Sequence, residues 1–329
     1  MTEVLVTGGA GYIGSTMCRQ LQKNGYQPVV IDNLSTGHRQ AVQWGPFYQG
    51  SLENTDLLHR IFTEHRPAAV MHFAACCYVN ESVREPVKYY RNNVAATIRL
   101  LEAMRQHQIK NFIFSSSCAT YGEPEILPMD EDHPQRPINP YGRSKLMVEQ
   151  ILKDMDAVED LHYVCLRYFN AAGADPESQI GEDHDPETHL IPLVLMTALG
   201  RRETIHIFGD DYSTRDGTCI RDYIHINDLA RAHLLALERL LSGHPSSVYN
   251  LGNGDGYSVR EVIETARMVT GRSIPVSVSG RRAGDPAELI SASGKALQDL
   301  GWKPEIGALR DIIATAWEWH RRHPDGYSK

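Results

Sequence analysis

The run Thr7-Gly8-Gly9-Ala10-Gly11-Tyr12-Ile13-Gly14 follows directly on the apolar triplet Val4-Leu5-Val6. Gly8, Gly11 and Gly14 space out as G-x-x-G-x-x-G at a strand-to-helix junction. Glycine permits the tight turn there and lets backbone come close to a phosphate. The helix that starts next presents unpaired N–H groups to an anion. A chain that opens this way is constrained to a strand–turn–helix unit, the first step of a doubly wound sheet.

The rest of the first half repeats the unit. Ile13 to Lys23 reads as a helix. Strands are expected at Pro28-Val29-Val30-Ile31-Asp32, Ala68-Ala69-Val70-Met71-His72-Phe73, Asn111-Phe112-Ile113-Phe114-Ser115 and His162-Tyr163-Val164-Cys165-Leu166-Arg167. These runs are continuously apolar rather than alternating, as strands covered on both faces must be. Helical stretches between them call for parallel crossovers. The expected fold is α/β, a doubly wound parallel sheet of Rossmann type with a second, smaller α/β domain. Residues 1–170 form the first domain. Residues 171–329 form the second, interleaved with the sheet around 220–255 because Ser247-Val248-Tyr249-Asn250-Leu251 reads as another core strand. Residues 171–188, rich in Gly, Pro, Asp and Glu, read as loop, with turns at 209–217 and 252–256.

Composition removes several function classes. A formal charge of -8 offers no basic face for nucleic acid or an anionic membrane surface. No apolar run approaches the ~18 residues of a membrane span, and a first strand at residue 3 leaves no room for a signal peptide. The six cysteines form no C-x-x-C. They read as free thiols of a reducing, cytoplasmic compartment, with Cys76-Cys77 packed in the core. Glu182-Asp183-His184-Asp185 reads as a solvated or substrate-covering loop without firm ligand spacing, so no metal is expected.

Asp32 ends the second strand about 20 residues beyond the glycines, the place of a ribose-binding acid. Its carboxylate repels a 2′-phosphate, and Asn33 and Leu34 bring no positive charge, which favours NAD over NADP. Further on, Asn139-Pro140 reads as an N-cap followed by the first residue of a helix. Tyr141 and Lys145 then lie at i and i+4 on one helix face. A phenol has a pKa of ~10, and one cation at ~4 Å in an effective dielectric of ~20 is worth ~4 kcal/mol, or ~3 pK units. A phenolate near neutral pH can take a proton from an alcohol. Ser115-Ser116-Ser117 closes the strand beyond whose end ligands bind in such sheets. A Ser117 hydroxyl there can hydrogen-bond the reacting oxygen.

The glycine loop, Ser117 and Tyr141-x-x-x-Lys145 together resemble the extended short-chain dehydrogenase/reductase superfamily. Further segments resemble the UDP-glucose 4-epimerases within it: His72-Phe73-Ala74-Ala75, Tyr89-Tyr90-Arg91-Asn92-Asn93, Leu166-Arg167-Tyr168-Phe169-Asn170, Ile207-Phe208-Gly209-Asp210-Asp211-Tyr212, Arg221-Asp222-Tyr223-Ile224-His225 and Arg281-Arg282-Ala283-Gly284-Asp285. The resemblance runs from residue 3 to the Tyr327 tail. It implies a UDP-galactose/UDP-glucose 4-epimerase that passes hydride to NAD and back through a 4-keto sugar. Tyr141 would be the base, with Ser117 assisting and Lys145 binding the nicotinamide ribose. The implied NAD contacts are Gly8, Gly11, Tyr12, Ile13, Gly14, Asp32, Asn33, Ser51, Leu52, Phe73, Ala74, Ala75, Asn92, Ser115, Tyr141, Lys145 and Tyr168. The implied UDP-sugar contacts are Ser117, Tyr141, Asn170, His189, Leu190, Phe208, Arg221, Arg282, Asp285 and Leu289. A homodimer is also implied.

The chain departs from the family pattern where Cys77 replaces a common Lys, Ser51 a common Asp and His189 a common Asn. Leu289 at the gate beside the sugar 2-position is intermediate in size. Epimerases of N-acetylhexosamine or pentose UDP-sugars therefore stand as alternatives. A sugar dehydratase is disfavoured because Cys118 and Ala119 occupy its acid–base positions. A non-enzymatic NAD sensor would have no use for Tyr141, Lys145 and Ser117.

Overall fold

The buried apolar runs assemble into one seven-stranded sheet. The computed structural model describes residues 1–177, 179–282 and 284–327. Its strands are β1 (Thr2–Thr7), β2 (Tyr26–Asp32), β3 (Phe47–Gln49), β4 (Ala69–His72), β5 (Asn111–Ser115), β6 (His162–Tyr168) and β7 (Ser247–Leu251). The principal helices are α1 (Tyr12–Lys23), α2 (Thr55–His65), α3 (Ala96–Gln106), α4 (Pro140–Glu159), α5 (Leu190–Ala198), α6 (Ile226–Leu241), α7 (Val259–Thr270) and α8 (Leu309–Arg322).

Spatial order in the sheet is β3-β2-β1-β4-β5-β6-β7. The five pairs from β3 through to β6 are parallel. The order reverses between β1 and β4, and the carboxyl ends at that reversal are where such sheets bind ligands. Val4, Leu5, Val6, Val29 and Val30 are fully buried, in keeping with strands covered on both faces. The three-residue edge strand β3 is an addition to the expected set, half-exposed and too short to leave an apolar run.

The chain divides into two compact units. The first comprises Met1–Glu123, Pro134–Arg167 and Ala230–Tyr249. Its core joins Leu5, Ile31, Phe62, Leu100, Phe112 and Val148. The second comprises Pro124–His133, Tyr168–Leu229 and Asn250–Lys329. It packs Ile191, Val194, Ile207, Val262, Ile312 and Ile313 into its own core. Among the described residues, three small sheets serve it. Asn170–Ala172 runs parallel to Tyr223–His225. Ile220–Arg221 lies between Tyr257–Ser258 and Glu288–Leu289. Ile205–Phe208 runs parallel to Val276–Ser279. Among the described residues no helix is long and apolar enough to cross a membrane.

Candidate active site

In the first unit the glycine loop is a backbone cradle. Gly8 has φ +72°, and a Cβ there would fall 2.6 Å from the amide nitrogen of Ala74. A Cβ on Gly14 would fall 2.2 Å from the carbonyl oxygen of Gly8. Neither position admits another residue without moving backbone. Gly11 is the N-cap of α1 and supplies no side-chain cap, and the first turn holds no acid. That turn thus carries no carboxylate of its own to repel an anion at the helix N-terminus. Asp32, at the end of β2, accepts from the backbone N–H of Ala10 at 3.0 Å and of Leu34 at 2.8 Å. Burial pushes its carboxyl above the usual carboxylate range, and those N–H donors oppose the shift. Free lone pairs on each oxygen still suit a ribose diol. These features fit a dinucleotide.

The turn after β4 is tied to this cradle. Thr7 Oγ1 lies 2.7 Å from His72 Nδ1, and His72 Nε2 lies 2.8 Å from Thr97 Oγ1. Thr97 donates its hydroxyl to the carbonyl of Asn93, so it accepts from His72. His72 is therefore the neutral Nε2–H tautomer, and burial holds its pKa down to about 3. Asn93, buried in a π-helical turn (Tyr90–Ala95), makes the next link. Its amide accepts from the N–H of Cys76 at 2.8 Å and donates to the Cys76 carbonyl and to Ser144 Oγ, each at 3.0 Å. Ser144 donates to the carbonyl of Tyr141 at 2.7 Å. Contacts thus run without a break from Gly8 through Ala74, Cys76 and Asn93 to α4.

Asn139 caps α4 by accepting from the N–H of Gly142 at 2.8 Å, with Pro140 in the first turn, as the sequence predicts. Tyr141 and Lys145 share one face. Lys145 is 4% exposed, and its ammonium donates to the Ser115 carbonyl at 2.7 Å and stands 5.9 Å from the centre of the Tyr141 ring. Burial pulls its pKa down to about 8. Ser117 is buried and accepts from the N–H of Ala119 at 3.2 Å. One turn beyond Lys145, buried Glu149 accepts from Ser116 at 2.5 Å and from Arg167 Nη2 at 2.6 Å. Arg167 Nη1 donates to the hydroxyl of Tyr121 at 2.8 Å. Sequence reasoning gave no role to Glu149, Arg167, Asn93 or Gly142, because what each one does depends on a partner distant in the chain.

The remaining expected cofactor residues of this unit lie on several elements. Ser51 Oγ accepts from the N–H of Glu53, and Leu52 is part of the core. Phe73 lies 4.8 Å, ring to ring, from His233. Asn92 donates to Asn93 Oδ1 at 3.0 Å. Tyr12 and Ile13 open α1, Asn33 follows Asp32, and Ala75 is half-buried. The placement of Cys76-Cys77 in the core is corrected. Cys76 is only half-buried and Cys77 is exposed. Both lie past the end of β4, where Asn93 holds the Cys76 backbone.

In the second unit the expected sugar-nucleotide residues fall into groups. The Arg282 guanidinium stacks 3.7 Å from the centre of the Phe208 ring, and Arg281 lies 4.2 Å from that of Tyr212. Arg221 reaches Asp285 at 3.4 Å and sits in register with Leu289 on the neighbouring strand. That register is set by Asp222, fully buried, which accepts from the N–H groups of Asn253, Gly254 and Ser291. Asn170 donates its N–H to the Asp222 carbonyl. Tyr168 is the last residue of β6. Ala283, in the expected arginine motif, lies outside the described residues.

Leu190 begins α5, and His189 immediately before it faces Glu182 and Glu187, each at 2.9 Å. Of the two expectations for the loop at 182–185, solvated or substrate-covering, the solvated one is corrected at Glu182. That residue is 5% exposed, because the loop folds under the indole of Trp319, whose Nε1 donates to the Glu182 carbonyl.

A family model described as the NAD dependent epimerase/dehydratase family matches residues 4–252. A UDP-glucose 4-epimerase of Halalkalibacterium halodurans is 53% identical over 325 residues, 99% of this chain and 97% of that one. The crystal structure of UDP-glucose 4-epimerase from Brucella ovis in complex with NAD superimposes with a TM-score of 0.95 at 52% identity, covering 97% of this chain and 98% of that one. The Bifidobacterium longum enzyme in complex with NAD+ and UDP gives a TM-score of 0.94 at 39% identity, covering 99% and 100%.

Proposed function

The chain belongs to the NAD dependent epimerase/dehydratase family, and from that premise we propose that it is an isomerase, a 4-epimerase interconverting UDP-galactose and UDP-glucose. The observation that carries the reading is the Tyr141–Lys145 pair on α4, joined through Asn93 to a glycine cradle with no room for a Cβ. Relatives near 50% identity over almost the whole chain bear the same activity in their names.

Gly8, Gly11 and Gly14 would hold the pyrophosphate of NAD, Asp32 the adenosine ribose and Lys145 the nicotinamide ribose. NAD, when bound, supplies a reversible two-electron acceptor. The chain's own residues manage the proton. The Lys145 cation favours the Tyr141 phenolate. Tyr141 takes the proton from the sugar 4-hydroxyl, holds it while the 4-keto sugar turns, and returns it. Ser117 hydrogen-bonds the same oxygen. Arg221 and Arg282 would grip the diphosphate, with Phe208 beside the uridine. A firm hold on this remote handle leaves the sugar free to rotate.

The test is incubation of purified protein with UDP-galactose and no added NAD, with nucleotide sugars separated by chromatography. Formation of UDP-glucose is expected. Failure to convert it even with NAD supplied, alongside turnover of an N-acetylhexosamine or pentose UDP-sugar, would replace the substrate. Failure on the whole panel would overturn the reading.

A further inference from the structure

Glu182, His184, Glu187 and His189 fall within eight consecutive residues ahead of α5, in a stretch of the second unit without regular secondary structure. One ligand-capable atom from each lies within 4.8 Å of all the others. His189 Nδ1 is 2.9 Å from Glu182 Oε1 and 2.9 Å from Glu187 Oε1. His184 Nδ1 is 3.3 Å from the same Glu182 Oε1 and 3.6 Å from Glu187 Oε2. A ring nitrogen carries at most one proton, yet each Nδ1 faces two carboxylates and Glu182 Oε1 faces both rings. Separate His–Glu pairs need no such sharing, whereas four ligands around one ion produce it. Ligands ~2.0–2.1 Å from a tetrahedral ion stand about 3.3–3.4 Å apart; the His–Glu contacts, which draw on both oxygens of Glu187, run from 2.9 to 3.6 Å, and one atom from each of the four residues lies within 4.8 Å of the rest.

The donor set is equally specific. Two neutral imidazoles and two carboxylates carry a net charge that a divalent cation cancels. Mixed nitrogen and oxygen donors suit zinc and its first-row neighbours. Calcium and magnesium favour all-oxygen shells, and there is no thiolate to select a softer ion. The carboxylates are 6% and 4% exposed, so they sit away from competing water. The backbone beside them is held from outside the cluster. Trp319 Nε1 donates to the Glu182 carbonyl at 3.2 Å, the Gly181 N–H donates to the Tyr327 hydroxyl at 3.1 Å, and Asp183 accepts from the Tyr327 N–H at 2.9 Å. Glu187 is set in turn by the N–H groups of Thr188 and His189.

We propose that Glu182, His184, Glu187 and His189 form a four-ligand site for a divalent transition-metal ion of the zinc class, which pins the loop to the start of α5. The role is structural, since nothing in the proton chemistry of Tyr141 calls for a metal.

The intact protein, stripped with EDTA and desalted, is titrated with zinc chloride. Bound metal is measured by plasma mass spectrometry after a second desalting. About one zinc per chain is expected, with the thermal midpoint up by about 4 °C at zinc a hundredfold above its dissociation constant. Cobalt(II) in place of zinc should give the visible absorption of a four-coordinate ion. His184→Gln and Glu187→Gln should each retain under about a tenth of that zinc. If one variant fails to fold, the other and the parent titration still decide. Absence of bound zinc and an unmoved midpoint in the parent would overturn the proposal and leave a cluster of ion pairs. Equal zinc in parent and variants would also overturn it, by placing the ion elsewhere.

Discussion

A Cβ on Gly142 would stand 2.2 Å from the carbonyl oxygen of Ala119. Helix α4 therefore meets the turn that carries Ser117 only because residue 142 lacks a side chain. Its backbone is ordinary helix, so Gly142→Ala is opposed by contact alone. Relief requires α4 to withdraw by about 1 Å from the Ser117 turn, and a displacement of that size near reacting groups costs ~10²-fold in rate. Gly142→Ala is expected to lose about that much kcat with KM nearly unchanged. Steady-state kinetics on UDP-galactose checks it, and parent-like turnover would show that the turn gives way freely.

Lys145 is a cation held where it is costly to hold one. Its folded pKa of about 8 lies below the ~10.4 of an unfolded chain. Between those values the unfolded state binds more protons, so stability rises with pH. Below about 8 the full penalty applies, of the order of 3 kcal/mol. Lys145→Met should therefore melt no lower than the parent near neutral pH, with any advantage vanishing above about pH 10. Turnover should fall by ~10²–10⁴. Calorimetry across that range decides, and a variant that melts well below the parent at neutral pH would show the ammonium to be stabilising.

Glu149 and Arg167 form a buried pair, 7% and 6% exposed in their side chains, at the carboxyl ends of β5 and β6. Removing one partner strands the other charge and costs ~3–5 kcal/mol, whereas removing both is often near neutral. Glu149→Leu is expected to lose stability in that range. Adding Arg167→Met should recover at least half of the loss. Urea denaturation of the four species closes the cycle, and additive losses would refute the coupling.

The six expected strands and α1 were legible because their signals are local. Continuous apolar runs mark the buried strands, glycines mark the β1–α1 turn, and Asn139-Pro140 marks the start of α4. The place of Asp32 at the end of β2, against the glycine loop, was readable by its spacing from the glycines. What escaped is what the fold brings together over distance. Asn93 matters through Ser144, 51 residues on. Glu149 matters through Arg167, on another element. Glu187 and His189 were not joined to Glu182 and His184, because only the path of the loop beneath Trp319 makes the four converge. Cys77 was misplaced because an apolar run gives no sign of where the strand inside it ends.

His72 gives the fold a definite response to acid. Its ring is fully hydrogen-bonded as the neutral Nε2–H tautomer, between a donating Thr7 and an accepting Thr97. A second proton on Nδ1 would displace the Thr7 bond and face the Lys145 cation. The folded pKa of about 3 lies below the ~6.5 of an unfolded histidine. The stabilisation is complete above about 6.5 and is lost as pH falls toward 3, where the unfolded state alone takes up the proton. His72→Gln keeps an amide donor and acceptor but does not titrate. Its thermal midpoint should decline less steeply than the parent's between about pH 6.5 and 4.5, even though it starts lower. Scanning calorimetry at several pH values measures both slopes, and parallel slopes would assign the acid sensitivity to other groups.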